Sequence, residues 1–144
     1  MTFQASRKIA ASPADVFAAF EDVDRLKLWW GPAGFTNTFE TFAFEPGGEW
    51  RFTMHGPDGK DFPNVQVVKE IDRPGRIVLH HTTQPPYMLT VSLDATDDGG
   101  TLVRWDQEFE NPETERRMAD ILAAANEQLL DRLAAEVVRP AAGD

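Results

Sequence analysis

The feature that most constrains the fold is one long amphipathic segment near the C-terminal end, which follows six short segments of strand character. Asn111 and Pro112 are typical of a helix start, and the pattern predicts a helix from there to about Val138, about 39 Å long. A single helix covers one face of an antiparallel sheet only if the sheet curls around it, and incomplete contact between them leaves a pocket. The apolar positions of the helix form one stripe: Met118, Leu122, Ala125, Leu129, Leu133 and Val137.

The six strand segments lie between residues 35 and 110, and short turn sequences separate them. Short connections predict antiparallel pairing between neighbouring strands. Apolar residues alternate clearly at Trp50, Phe52 and Met54, whereas Phe39 and Phe42 are out of phase and predict a β-bulge. The turn sequences are EPGG (45–48), GPDG (56–59), DRPG (72–75), QPP (84–86) and DDGG (97–100).

Before these strands, residues 6–9 end a short first strand and two short helices follow. Ser12 is the predicted N-cap of the first helix, with Pro13 at its first position. The second helix is predicted at residues 22–29, and the pair Gly31-Pro32 ends it. The order of elements therefore predicts an α+β fold with a seven-stranded antiparallel sheet, in a single domain over residues 1–144.

The composition excludes several classes of function. The chain has 24 Asp and Glu against 14 Lys and Arg, and this net charge of −10 disfavours binding to nucleic acid or anionic lipid. Because there is no cysteine, disulfides, thiolate metal sites and thiol nucleophiles are excluded. The sequence has no apolar targeting segment and no run near the roughly 20 apolar residues of a membrane span, so we expect no membrane insertion and a cytoplasmic location.

Three stretches resemble one family: WWGPAGF (29–35), EPGGEWRFTMHGPDGKDFPN (45–64) and AANEQLLDRLAA (124–135). They are similar to bacterial members of the SRPBCC superfamily (START-like, helix-grip), in the branch homologous to the activator of the heat-shock protein ninety ATPase. The resemblance implies a curved seven-stranded sheet that grips the C-terminal helix, an apolar cavity between them, and two short helices near its mouth. Because this fold serves lipid carriers, cyclases, receptors and cochaperone modules, it implies function only weakly.

The predicted ligand-binding residues combine aromatic walls, one helix stripe and a few polar groups that would orient a ligand. For Trp29 and Trp30 two interpretations stay open: at least one lines the cavity, or both fill the core. His81 shares its strand face with apolar neighbours and is predicted to point inward, whereas His80 points outward. The full set is Trp29, Trp30, Phe35, Trp50, Phe52, Met54, His81, Tyr87, Trp105, Gln107, Met118, Leu122 and Ala125.

The polar members of this set also have plainer interpretations. His81 is either a hydrogen-bonded core residue or a group that binds the ligand. Gln107 and Tyr87 either point into the cavity or lie at a sheet end and at a rim. The helix periodicity places four charged residues on the solvated side of the C-terminal helix: Glu115, Glu127, Asp131 and Arg132.

A catalytic centre is not indicated. His55, Asp58 and Asp61 flank the GPDG sequence and admit an acid–base interpretation, but the turn chemistry of that sequence favours turn and surface roles. Three histidines without paired spacing do not indicate a metal site, and no nucleophile or nucleotide fingerprint is present. We therefore predict no catalytic residue, no metal and no cofactor.

Three functions stay open. The first, which the sequence favours, is non-catalytic binding of a small hydrophobic or amphipathic ligand between the sheet and the C-terminal helix. The second is a protein-interaction module of the cochaperone type, with a chaperone or another protein as partner. The third is an enzyme of the cyclase or hydrolase type, which requires a titratable pair where the sequence offers His81 alone.

Overall fold

The computed structural model describes residues 3–138 of the chain, and in this range it contains seven strands and three helices in the predicted order. The helices are α1 (Pro13–Glu21), α2 (Val23–Trp29) and α3 (Pro112–Val138). The strands are β1 (Phe3–Ile9), β2 (Thr36–Phe42), β3 (Glu49–His55), β4 (Asp61–Asp72), β5 (Arg76–His81), β6 (Tyr87–Ala95) and β7 (Thr101–Phe109).

All seven strands form one curved antiparallel sheet in the order β1-β7-β6-β5-β4-β3-β2, so β1 and β2 are its edges. The predicted α+β helix-grip fold is confirmed. The pairing of β2 with β3 shifts register between Phe39 and Thr41, which confirms the predicted bulge. Because the bulge inserts one residue, both Phe39 and Phe42 pack against the core despite their odd spacing.

The two short helices follow one another directly. The Ser12 side chain accepts a hydrogen bond from the Asp15 N–H at 3.2 Å, as expected of the N-cap of α1. Asp22 ends α1 and caps α2, where its carboxylate accepts from the Asp24 N–H at 3.0 Å. With no linker between them, the apolar faces of both helices are held against the same core.

α3 begins at Pro112, and the Asn111 side chain caps it by accepting from the Glu113 N–H at 2.9 Å. The helix lies against β1, β7 and both short helices. No helix within residues 3–138 is long and apolar enough to cross a membrane. Of the predicted apolar stripe, Leu122, Leu129 and Leu133 are buried, whereas Met118, Ala125 and Val137 are half-buried. The other buried positions of α3 are Thr114, Glu115, Asn126, Leu130 and Glu136, most of them polar.

The prediction that Glu115 and Arg132 lie on the solvated side of α3 is wrong. Glu115 is 2% exposed, and the Arg132 guanidinium is directed at backbone carbonyl groups of the turn after α2. Helical periodicity assigns charged side chains to water because burial of a charge is costly. Helical periodicity contains no information on residues from other parts of the fold that bury or bind such a side chain.

Candidate functional site

The turn between α2 and β2 is fixed to α3 by the side chain of Arg132. Backbone carbonyls at a helix C-terminus lack intrahelical partners and attract positive charge. The planar guanidinium carries several donors in a fixed geometry, so it binds one carbonyl of the last turn of α2 and several carbonyls of the loop that follows. The acceptors are the carbonyl oxygens of Leu28 (2.7 Å), Gly31 (2.9 Å), Pro32 (2.8 Å) and Phe35 (3.0 Å).

Close packing explains the glycine at the start of this turn. Gly31 has φ of 94°, a conformation that favours glycine, and a Cβ built there would lie 2.6 Å from Cε of Met54. The turn therefore lies directly on β3. It is also tied to α3 by the Ala33 N–H, which donates to the Gln128 side chain at 3.1 Å.

Both tryptophans before this turn are buried, with exposures of 0% for Trp29 and 4% for Trp30. The Trp29 indole N–H donates to the carbonyl of Ala19 at 3.0 Å. The Trp30 ring lies 5.7 Å from those of Trp50 and Trp105, measured between centroids. Both indoles thus pack in the core, and neither is exposed at a rim. We call the connected rings the aromatic cluster: Phe17, Phe20, Trp29, Trp30, Phe39, Phe42, Phe44, Trp50, Phe52 and Trp105.

One row of register partners crosses the inner face of the sheet from β2 to β7. Aromatic residues occupy its β2 and β3 positions, and polar side chains occupy the middle strands. Most of the row is buried. Its members, in order, are Phe42, Trp50, Gln66, His81, Tyr87 and Phe109.

Gln66 and Trp50 are opposite one another in this row, and both carry polar atoms without partners. Gln66 is completely buried, and neither its amide oxygen nor its amide nitrogen has a hydrogen-bond partner. The Trp50 indole N–H is likewise buried and unpaired. A buried polar group without a partner lowers the stability of the fold by about 1–3 kcal/mol. Because residues directly opposite one another on neighbouring strands have Cβ atoms about 4.5–5.5 Å apart, the two groups lie close together. Two such groups therefore face the interior at one place.

His81, the next residue in the row, is 4% exposed and has several neighbours that can hydrogen-bond. Nδ1 lies 3.1 Å from the carbonyl oxygen of Pro85, and Nε2 lies 3.1 Å from the Thr83 hydroxyl and 2.5 Å from Oδ1 of Asn64. Burial lowers the pKa of His81, so its ring is neutral near pH 7. The predicted inward orientation of His81 is confirmed, while His80 contacts Glu110 at 3.1 Å on the other face.

Tyr87 and Gln107 extend the polar groups from the sheet to α3. The Tyr87 ring stacks on His81 with centroids 4.4 Å apart, and its hydroxyl hydrogen-bonds the Gln107 side chain. Burial raises the pKa of Tyr87 above its ordinary value, so the hydroxyl stays protonated. Gln107 is buried, which excludes the alternative that it reaches solvent at a sheet end, and its Oε1 accepts from the Asn126 amide at 3.3 Å. We call these residues, together with Gln66 as the register neighbour of His81, the polar cluster: Asn64, Gln66, His81, Tyr87, Gln107 and Asn126.

The remaining predicted ligand-binding residues surround these two clusters. Leu122 is buried, and the other four keep partial exposure. Phe35 and Met54 meet at Gly31, next to the turn that Arg132 holds. The partly exposed residues are Phe35, Met54, Met118 and Ala125.

Four buried or clustered polar residues were not predicted from the sequence: Gln66, Asn64, Asn126 and Glu115. A signal for Gln66 was present, because it lies in the run Val65–Val68 and shares its strand face with Val68. Strand alternation in the same way assigns Gln107 to the apolar face of β7. Asn126 and Glu115 had no comparable signal, since polar residues on a long helix normally face water.

His55 belongs to a separate network of exposed or half-buried side chains. Its Nε2 lies 2.8 Å from the Thr38 hydroxyl, and its Nδ1 lies 2.7 Å from Oδ1 of Asp61. Asp58 accepts from the Lys60 N–H at 3.1 Å, which confirms the predicted turn role of GPDG. These contacts join adjacent strands at the surface. Within residues 3–138, no group of three or more His, Asp or Glu side chains is arranged to hold a metal ion.

The chain resembles a known family along most of its length. The model of that family, described as activator of Hsp90 ATPase homolog 1-like protein, matches residues 10–137. No protein with a curated description matches the sequence.

Solved structures from several bacteria share the fold. A protein from Arthrobacter aurescens has 24% identity and a TM-score of 0.87, covering 97% of this chain and 87% of that one. One from Nitrosomonas europaea has 18% identity and a TM-score of 0.86, covering 95% and 94%. The protein from Silicibacter pomeroyi described as AHSA1 has 19% identity and a TM-score of 0.74, covering 95% and 97%.

Proposed function

This chain belongs to the family of activator of Hsp90 ATPase homolog 1-like proteins, and we propose that it binds a small amphipathic molecule between the sheet and α3 without converting it. The observation that carries the proposal is the pair formed by Trp50 and Gln66, two buried side chains with unpaired polar atoms on adjacent strands. The indole and amide N–H groups would donate to the ligand, and the amide oxygen would accept from it. A hydroxyl, carboxyl or amide group satisfies both requirements.

The surroundings of this pair suit the apolar part of such a ligand. Trp50 belongs to the aromatic cluster, and Phe52 and Trp30 lie next to it. Binding sites for small molecules combine apolar walls with a few placed polar groups. In this proposal the aromatic cluster holds the apolar part, and the polar cluster orients the polar group.

The chemistry around His81 favours binding over catalysis. Among the described residues, its hydrogen-bonding neighbours are a carbonyl, an amide and a hydroxyl, and none is a carboxylate. General acid–base catalysis commonly uses a titratable pair whose environments move the two pKa values apart. His81, held neutral by burial, is better suited to fix the rings and amides around it.

Titration with decanol, decylamine and decanoic acid tests the proposal, with native mass spectrometry and tryptophan fluorescence as readouts. We expect saturable one-to-one binding of at least one of the three. Gln66→Leu should weaken it about tenfold, because a lost hydrogen bond is worth about 1.4 kcal/mol here. Gln4→Leu makes the same change at an exposed position of β1 and should leave the affinity unchanged. The proposal fails if none of the probes saturates, or if wild type and Gln66→Leu bind equally.

The family description also suggests a protein-interaction role. Among the described residues, three large apolar side chains are exposed on helices, and a protein partner would cover them. They are Leu28 on α2 at 47%, and Ile121 and Val138 on α3 at 67% and 55%. Incubation with a bacterial homologue of the chaperone tests this second candidate. Retention of the chaperone together with faster ATP turnover would support it, and the absence of both would leave ligand binding alone.

A further inference from the structure

Glu115 lies in the first turn of α3 with 2% of its surface exposed, and neither carboxylate oxygen has a hydrogen-bond partner. Burial of an ionised carboxylate costs far more than burial of an amide, and buried charges in proteins are normally paired. The N-terminal end of a helix favours negative charge, but only modestly. Glu115 therefore needs a partner that the described residues do not supply.

A second buried glutamate shows how this fold otherwise meets that need. Glu136 is also buried on α3, and its carboxylate accepts from Nε of Arg25 at 3.0 Å. Arg116 and Arg117 follow Glu115 directly in sequence, but both are exposed and neither pairs with it. The contrast is between one buried carboxylate with an arginine beside it and one without.

The helix places Glu115 on the side that faces the polar cluster. Leu122 follows Glu115 by seven residues and Asn126 follows Leu122 by four, so all three lie on one face of the helix, and Asn126 contacts Gln107. Glu115 lies about 16 Å before Asn126 along α3, at 1.5 Å per residue. This is the end of the sheet where the Glu110 N–H donates to the carbonyl of Pro86 at 3.1 Å.

We propose that Glu115 binds a cationic group, an amine or a guanidinium, at one end of the ligand held beneath α3. The inference rests on the proposed binding function and adds the charge class of the ligand to it. An ammonium or guanidinium gives the buried carboxylate charge-assisted hydrogen bonds, as Arg25 does for Glu136. The net charge of −10 favours the approach of such a ligand.

Calorimetric titration with decylamine and decanol tests the inference, because the two probes share one chain length and differ in charge. We expect wild type to bind decylamine at least tenfold more tightly than decanol. Glu115→Gln should remove this preference, so that the ratio of the two affinities falls to about one. Glu113→Gln removes the same charge from an exposed position two residues earlier, and should keep the preference.

The outcomes separate this inference from the proposed function. Equal affinity of wild type for both probes, or a preference that survives in Glu115→Gln, overturns the role of Glu115 while ligand binding stands. Binding of neither probe, nor of decanoic acid, overturns both. If circular dichroism shows that Glu115→Gln does not fold, the wild-type ratio is measured at high salt, which screens the net charge far more than a buried pair. A preference that stays at least about tenfold supports the inference, and equal affinities overturn it.

Discussion

The aromatic cluster and the polar cluster both pack against the inner face of the sheet, but they differ in whether their polar atoms have hydrogen-bond partners. In the aromatic cluster, ring centroids are 4.8 to 6.4 Å apart, and the Trp29 indole has a backbone acceptor. In the polar cluster, His81 and Gln107 have partners, whereas Gln66 has none. The unpaired groups of Trp50 and Gln66 meet where the two clusters join.

This difference indicates that the two parts of the core have different roles. Close-packed rings stabilise the fold because large aromatic side chains bury much apolar surface. Unpaired polar groups lower stability, so their presence at the junction is understandable if a ligand satisfies them. Three substitutions and one pH profile test this difference between the two clusters.

The largest effect is expected in the aromatic cluster. Trp30→Ala should lower the free energy of unfolding by about 3–5 kcal/mol, because it removes a buried ring that touches several others. Urea denaturation measures this. Leu28→Ala, two residues earlier and 47% exposed, should cost less than about 1 kcal/mol. A similar loss in the free energy of unfolding for both variants would show that the aromatic cluster is not the main source of stability.

The next effect is expected in the paired part of the polar cluster. Gln107→Leu should lower the free energy of unfolding by about 1–3 kcal/mol, because it leaves Asn126 and Tyr87 without a buried partner. The same urea experiment measures the loss. An unchanged midpoint of urea unfolding would mean that the hydrogen bond between Gln107 and Asn126 does not contribute to stability.

Gln66→Leu should have the opposite sign. Replacing an unpaired buried amide by an apolar side chain of similar size should raise the free energy of unfolding of the free protein by about 1 kcal/mol. Denaturation in the absence of ligand tests this. Destabilisation instead would show that the amide is already satisfied, for example by an ordered water, and would remove the contrast with Gln107.

The smallest effect concerns pH and His81. Because burial lowers the pKa of His81 below its ordinary 6.5, the unfolded chain takes up a proton at higher pH than the folded protein. The contribution of neutral His81 to the free energy of unfolding is therefore fully present above about pH 6.5. It is lost as the pH falls from there through the lower pKa that His81 has in the folded protein. His81→Gln should flatten this dependence. Parallel pH profiles of unfolding for wild type and His81→Gln would contradict a depressed pKa.

The arrangement of the fold was predictable where local signals were strong. Caps at Ser12 and Asn111, the turn sequences and the out-of-phase Phe39 and Phe42 all gave the correct elements, because each depends on neighbouring residues. The polar residues were only partly predictable. Gln107 was recognised by strand alternation, whereas Arg132 was assigned to water because its carbonyl partners lie about a hundred residues away in the chain.

The order of strands and helices, the inward faces of β3, β5 and β7, and the need for the sheet to curl around one long helix all follow from local patterns in the sequence. Which buried polar groups have partners depends on the tertiary structure. Periodicity reports how side chains are distributed along one segment, whereas a hydrogen bond depends on strand register and on the depth at which α3 packs. For this reason Gln66 and Gln107 look alike in the sequence and differ in the folded protein.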